Sequence, residues 1–194
     1  YGKIDEKPKD IINKVYQSNE RLIDLVEDLL SLSRIESGRM EYKFEKVKME
    51  DVCQEVYDTF VIRAKERNLD FDFVLPKKPL TEAMTDRLKI REIVSNLVDN
   101  AIKYTPKGGV KLKVTKEKEG IRVAVTDTGI GVPEEEKPYL FSKFSRGKDI
   151  TRLNTGGTGL GLHVGKRMIE DLHGKLWVES KGEGRGSTFF VEVP

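Results

Sequence analysis

A chain of 194 residues is long enough for one full domain with its own core and one added element, but short for a two-lobed enzyme. Its 35 Lys and Arg against 33 Asp and Glu leave a net charge of +2, without the basic footprint of a nucleic-acid binder or a membrane-surface helix. No apolar run approaches the roughly 20 residues that cross a bilayer, and no charged-then-apolar leader opens the sequence. The single cysteine, Cys53, provides neither an internal disulfide nor a metal cluster, which suits a reducing compartment. It reads as a half-buried helix residue.

From Asp10 to Ser37 the apolar positions recur with heptad spacing, in rows running through Ile12, Val26 and through Val15, Leu22, Leu29, widened by Tyr16, Ile23 and Leu30. This predicts one long amphipathic helix with Pro8 in its first turn and Gly38 as a left-handed stop. So wide an apolar face calls for a helical bundle. The sequence offers no second long helix to complete one, so a partner chain is expected, the alternative being a terminal helix folded back on its own domain. A helix near Glu50 to Arg67 follows, then a strand alternating at Leu69, Phe71 and Phe73, then a helix from about Asp86 to Tyr104. Val110, Leu112, Val114 and Ile121, Val123, Val125 predict a hairpin across Gly120. Residues 146–157 have neither period and are rich in Gly, Thr and Asn, as expected of a long functional loop. A helix over about Leu160 to Leu172 and strands at Lys175 to Glu179 and Thr188 to Val193 complete the chain, with Trp177 read as core. Strands that follow one another directly, with helices gathered between them, predict an α+β fold: a two-layer sandwich of helices on a mixed, mostly antiparallel sheet.

Four segments carry chemistry. In Asn96-Leu97-Val98-Asp99-Asn100-Ala101-Ile102-Lys103-Tyr104 two carboxamides stand four apart on one helix face, with Lys103 a turn beyond Asn100. An amide oxygen is a hard ligand suited to Mg2+, and a lysine supplies a point charge for phosphates. Asp127-Thr128-Gly129-Ile130-Gly131 follows an apolar strand, so a carboxylate stands beside two glycines that let backbone approach a planar ligand. Such a carboxylate only accepts hydrogen bonds and would select an exocyclic amine such as that of adenine. Gly156-Gly157-Thr158-Gly159-Leu160-Gly161-Leu162 ends the long loop and opens a helix, where free amides favour a phosphate. It matches neither the P-loop nor the dinucleotide fingerprint. Gly182, Gly184 and Gly186 lie between two strands.

Taken together and in this order, these residues resemble the sensor histidine kinases of two-component signalling, within the superfamily that also holds gyrase and the large heat-shock chaperone ATPases. Asn96 to Tyr104 looks like the family's N box and Asp127 to Gly131 like its first glycine box. Phe141 to Arg146 is similar to its F box, Gly157 to Leu162 to its second glycine box, and Gly182 to Thr188 to its third. The resemblance implies ATP and Mg2+ as cofactors. Asn100 would hold Mg2+, Asn96 would support the phosphate end, Lys103 and Arg146 would reach the phosphates, and Tyr104 would flank the nucleotide. Asp127 would read adenine, with Gly129 and Gly131 lining the base pocket. Gly157, Thr158, Gly159, Leu160, Gly161, Leu162 and Thr188 would complete the nucleotide site, and Phe141 and Phe144 would anchor a lid over it.

Two departures shape the expectation. The superfamily's ATPases place a water-activating glutamate four residues before the Mg2+ asparagine, and here that position is Asn96, whose amide cannot take a proton from water. Poor hydrolysis is expected, with the γ-phosphoryl kept for a histidine. The family's phosphoacceptor box is not found: residues 1–40 resemble the second dimerisation helix, and residues 41–194 the catalytic domain. His163 and His173 read as structural. The resemblance implies a response regulator and a second copy as partners, no nucleic acid, no membrane contact by this stretch, and a cytoplasmic site for a parent that some relatives anchor in the membrane. A non-catalytic nucleotide-sensing module and an anti-sigma serine kinase would use the same pocket; the long N-terminal helix speaks against the latter.

Overall fold

The computed structural model describes residues 6–118, 120–145 and 158–194. Helix α1, Glu6–Glu36, ends where Gly38 turns left-handed at a φ of 65° and the Arg39 amide reaches back to the Arg34 carbonyl. Helices α2 (Met49–Glu66), α3 (Arg87–Lys103) and α4 (Gly161–Asp171) follow, close to their expected bounds. Asp86 caps α3: one carboxylate oxygen accepts the Lys89 amide at 3.0 Å and the other the Lys43 amide at 2.8 Å, so one side chain starts the helix and fastens the incoming chain.

The main sheet has five strands, β2 (Asp70–Val74), β4 (Gly109–Lys116), β5 (Ile121–Asp127), β6 (Lys175–Ser180) and β7 (Ser187–Val193), in the order β2-β4-β5-β7-β6. Only the β2 and β4 pair is parallel; the rest of the ladder is antiparallel, the mixed sheet that the pattern predicts. A second, two-stranded sheet pairs β1 (Glu45–Val47) with β3 (Ala83–Thr85). Three-residue strands are too short to show a period of two, which is why alternation alone does not reveal them.

One face of the main sheet carries the core. Val110, Leu112, Val114, Val123, Val125 and Val191 point at Ile90, Val94, Leu97 and Val98 of α3 and at Val164, Met168 and Ile169 of α4, all buried. Cys53 is fully buried rather than half-buried, and the apolar surroundings push its thiol up, so it stays protonated. Trp177 is not core. The sheet's alternation puts Leu176 inward and Trp177 on the outer face, half-buried and stacked on Phe190 at 4.9 Å, with the Arg122 guanidinium 5.1 Å from its ring centre.

Helix α1 divides its apolar residues between two directions. Leu32 and Ile35 are buried against the domain and Leu25 packs partly beside them, whereas Ile11, Val15, Tyr16, Ile23, Val26, Leu29 and Leu30 are exposed. Replacing the fully buried Leu112 by alanine is expected to cost about 2–5 kcal/mol, from lost transfer energy and the cavity left behind. Denaturant unfolding of the variant checks this, and a loss below 1 kcal/mol would show that the sheet and helix layers are not packed as described.

Candidate functional site

Strand β5 delivers Asp127 to the end of the sheet, where its residue is only 7% exposed. The β5 to β7 register sets Ser187 directly opposite. The Ser187 hydroxyl donates to Asp127 Oδ2 at 2.5 Å, and the Gly129 amide donates to Oδ1 at 2.8 Å. Burial pushes the Asp127 carboxyl above the ordinary range, opposed by the bonds from Ser187 and Gly129. Each oxygen keeps a second lone pair, so the carboxylate can still receive an amine.

The glycines around it are required by space as well as by backbone angle. A Cβ at Gly129 would lie 2.2 Å from the Tyr104 carbonyl, and one at Gly131, whose φ is 72°, would lie 2.1 Å from the Gly182 carbonyl. The first and third glycine turns are packed back to back, with the Gly184 amide donating to Ile130 O at 2.6 Å and the Gly186 amide to Gly129 O at 3.1 Å. Gly182, Gly184 and Gly186 all have positive φ, so the third turn is a shaped support rather than a loose hairpin.

At the other end, the Asn100 amide nitrogen donates to Asn96 Oδ1 at 3.2 Å. Among the described residues nothing donates to the Asn100 oxygen, which leaves it available as a hard ligand. Asn96 in turn lies under the start of α4, where a Cβ at Gly161 would stand 2.9 Å from its amide. The glycine is there because two elements meet. Lys103 pairs with Asp99 at 2.5 Å, and Asp99 also receives Arg63 at 2.5 Å. Thr158 Oγ1 accepts the Leu160 amide at 3.1 Å, ordering the turn into α4, and Gly159, at a φ of 71°, packs on the backbone of Phe144 and Ser145.

These two ends share one cavity of about 720 Å³. Asp127, Ser187, Gly131 and Tyr104 line its base end; Asn96, Asn100, Lys103, Thr158, Gly159, Gly161 and Leu162 line the rest. Gly129 and the fully buried Leu160 support the wall from behind. Two expected residues lie elsewhere. Thr188 points to the outer face, where its hydroxyl meets that of Thr126 at 3.1 Å; Ser187, one residue earlier, takes the inward place because successive strand residues face opposite ways. Phe144 is 60% exposed, with a φ of 57°, and does not line the cavity. Phe141 does pack on the core, under the Lys166 ammonium at 5.8 Å. Arg146, Gly157 and the loop of residues 146–157 lie outside the described residues. His163 is tied by Nδ1 to the Phe141 carbonyl at 2.9 Å, and His173 turns the chain at the end of α4 with a φ of 62°, both structural placements. The wall contributed by α1, including Leu22, Leu25 and Asp28, is not legible from the motifs.

With this geometry the comparisons agree. The family model for the histidine kinase, DNA gyrase B and HSP90-like ATPases matches residues 85–194, more than half of the chain, and the chain belongs to that family. Over its whole length it is 34% identical to the circadian input-output histidine kinase CikA of Synechococcus elongatus, of which it spans 26%. The crystal structure of full-length ShkA in complex with AMPPNP superposes with a TM-score of 0.82 at 27% identity, covering 100% of this chain and 40% of ShkA. The histidine kinase ThkA in complex with the response regulator protein TrrA gives a TM-score of 0.76 at 28% identity, covering 100% of this chain and 53% of that one.

The raised Asp127 carboxyl has a testable sign. A group that binds its proton more tightly folded than unfolded adds stability below the ordinary carboxylate range, and that contribution is lost as pH rises through the folded value. At neutral pH Asp127→Asn is therefore expected to be at least as stable as the parent chain, with the parent gaining on it as pH falls. Urea unfolding at several pH values checks the trend, and a clearly less stable Asn variant at neutral pH would contradict it.

Proposed function

We propose that this chain is the ATP-binding catalytic end of a sensor histidine kinase. It holds ATP with Mg2+ and positions the γ-phosphoryl for attack by a histidine imidazole on a separate segment, from which a response-regulator aspartate takes the group. The observation that carries this reading is the shared cavity, with a desolvated carboxylate at one end and a carboxamide pair beside the opening of α4 at the other. A cavity of about 720 Å³ has room for a purine triphosphate.

In this reading Asp127 accepts the adenine amine, with Ser187 and the Gly129 amide holding the carboxylate in place. The Asn100 oxygen fits Mg2+, together with phosphate oxygens, and the ion would neutralise charge on the triphosphate. Lys103, moved off Asp99, and Arg146 would reach the phosphates, while Asn96 keeps Asn100 in place and Gly161 leaves room for that contact. The bond between the γ-phosphorus and the bridging oxygen breaks as a phosphorus to nitrogen bond forms, and ADP leaves with the electron pair. The chain's part is positioning and charge neutralisation. Support also comes from the named kinases among its relatives and from the ThkA complex with a response regulator.

The exposed stripe of α1 fits a bundle with a second copy, with residues 1–40 as bundle helix and residues 41–194 as catalytic domain. Among the described residues no helix is long and apolar enough to cross a membrane.

Incubation of the chain with radiolabelled ATP and a fragment bearing an acceptor histidine is expected to give acid-labile, alkali-stable label on the fragment. Asn100→Asp should reduce the label at least 100-fold, by placing a charge where an amide oxygen faces the ion and phosphates. Acid-stable label would indicate serine transfer, and ATP binding with no label would indicate a nucleotide sensor. Without the fragment, hydrolysis should be slow because Asn96 is no general base; turnover at a rate typical of gyrase-like ATPases would contradict that.

A further inference from the structure

Helix α1 meets the domain along Leu25, Asp28, Leu32 and Ile35, spaced three, four and three residues apart on one face. Three of the four are apolar. Asp28 is the exception, a carboxylate set in a docking stripe where leucine would pack without cost. Burial raises its proton affinity, and the nearby Asp24, Glu92 and Glu27 add to the effect. Among the described residues its compensation is one hydrogen bond: the Thr158 hydroxyl donates to Asp28 Oδ2 at 2.5 Å.

Thr158 is also the residue whose Oγ1 accepts the Leu160 amide at 3.1 Å. The three groups form a relay, Leu160 N–H to Thr158 oxygen and Thr158 O–H to Asp28. At the opening of α4 the Thr158 hydroxyl is thus spent on a carboxylate of the N-terminal helix, while the buried Leu160 amide is spent on Thr158 itself. Thr158 lines the phosphate end of the cavity with Gly161 and Asn96, where an oxyanion would otherwise use its hydroxyl. A second fastening lies two turns along the same helix, where Glu36 pairs with Lys143. Loss of the Asp28 bond would leave α1 held there and by the apolar stripe.

Resting on the nucleotide site proposed above, we infer that Asp28 is a positioning residue for that site: through Thr158 it holds the turn into α4 against the N-terminal helix, in competition with the triphosphate. Because the Thr158 hydroxyl serves either the carboxylate or the phosphates, helix docking at Asp28 and triphosphate binding weaken each other by equal factors. The base end, built from Asp127, Ser187 and the glycine turns, is not part of the relay. Competition should therefore act on the phosphates and spare the nucleoside.

That difference supplies the test. Binding of AMPPNP with Mg2+ and of adenosine is measured by calorimetry on the whole chain and on Asp28→Leu and Asp28→Asn. Leucine removes the acceptor while continuing the apolar stripe, so docking of α1 is retained. Asparagine keeps an acceptor oxygen of nearly the same shape. Asp28→Leu is expected to bind AMPPNP 3- to 10-fold more tightly with adenosine affinity unchanged, and Asp28→Asn to stay near the parent value. Asp28→Ala, which leaves a gap in the stripe, should follow leucine if the hydrogen bond is the cause, and it provides the measurement if the leucine variant does not fold. Unchanged AMPPNP affinity in both Leu and Ala variants overturns the inference, as does an equal shift for AMPPNP and adenosine. If the parent chain binds neither molecule, the nucleotide site itself is wrong and this inference falls with it. Parent binding with no effect at Asp28 removes only the relay.

Discussion

The buried carboxylate of Asp127 is the constraint on which the rest of the site depends. A carboxylate at the end of an otherwise apolar strand is expensive to desolvate, and it persists there because two donors meet it, one from Gly129 two residues on and one from Ser187 sixty residues on. Bringing Ser187 opposite requires the β5 and β7 register, and bringing Gly129 beneath requires a turn with no side chain facing the Tyr104 carbonyl. The third glycine turn then has to support the first, since the Gly129 and Ile130 carbonyls accept hydrogen bonds from the Gly186 and Gly184 amides. One polar group thereby fixes strand register, turn shape and the wall of the cavity together.

The opposite end obeys a different rule. Its groups are fixed by helix periodicity rather than by sheet register: Asn96 and Asn100 lie one turn apart on α3, and Gly161 allows α4 to begin directly over Asn96. The end at Asp127 is tied by the Ser187 and Gly129 donors and by the bonds between the two glycine turns. The phosphate end includes the partly buried ion pair of Lys103 with Asp99, which has to open before the lysine can turn to the cavity.

The sequence made the larger elements legible because their apolar residues keep one period over many turns or over paired strands: α2, α3, α4 and the β4 to β5 hairpin all stand close to their expected bounds. The site was legible as residue types, and Asp127, Asn96 and Asn100 do share a cavity. Errors arose where a single residue step decides the outcome. In a strand, one position separates the inward Ser187 from the outward Thr188, and Leu176 from Trp177, and neither composition nor motif spacing fixes that phase. The short β1 and β3 carry no measurable period at all. Asp28 was hidden for a further reason: it occupies a position of the heptad pattern that a reader of periodicity discounts as a polar interruption.

That interruption also explains how one helix can serve two surfaces. An amphipathic helix with a single broad apolar face has no means of preferring a bundle partner over its own domain, because burial is non-directional. In α1 the two faces are separated around the helix, with Leu25, Leu32 and Ile35 turned to the domain and Val15, Ile23, Val26 and Leu30 exposed on the other side. A carboxylate within the domain-facing stripe weakens that side's packing and makes it specific, since among the described residues Asp28 is compensated by Thr158. Docking of the helix thus rests on apolar area and the Glu36 to Lys143 pair, with one polar contact, at Thr158, placed at the edge of the cavity.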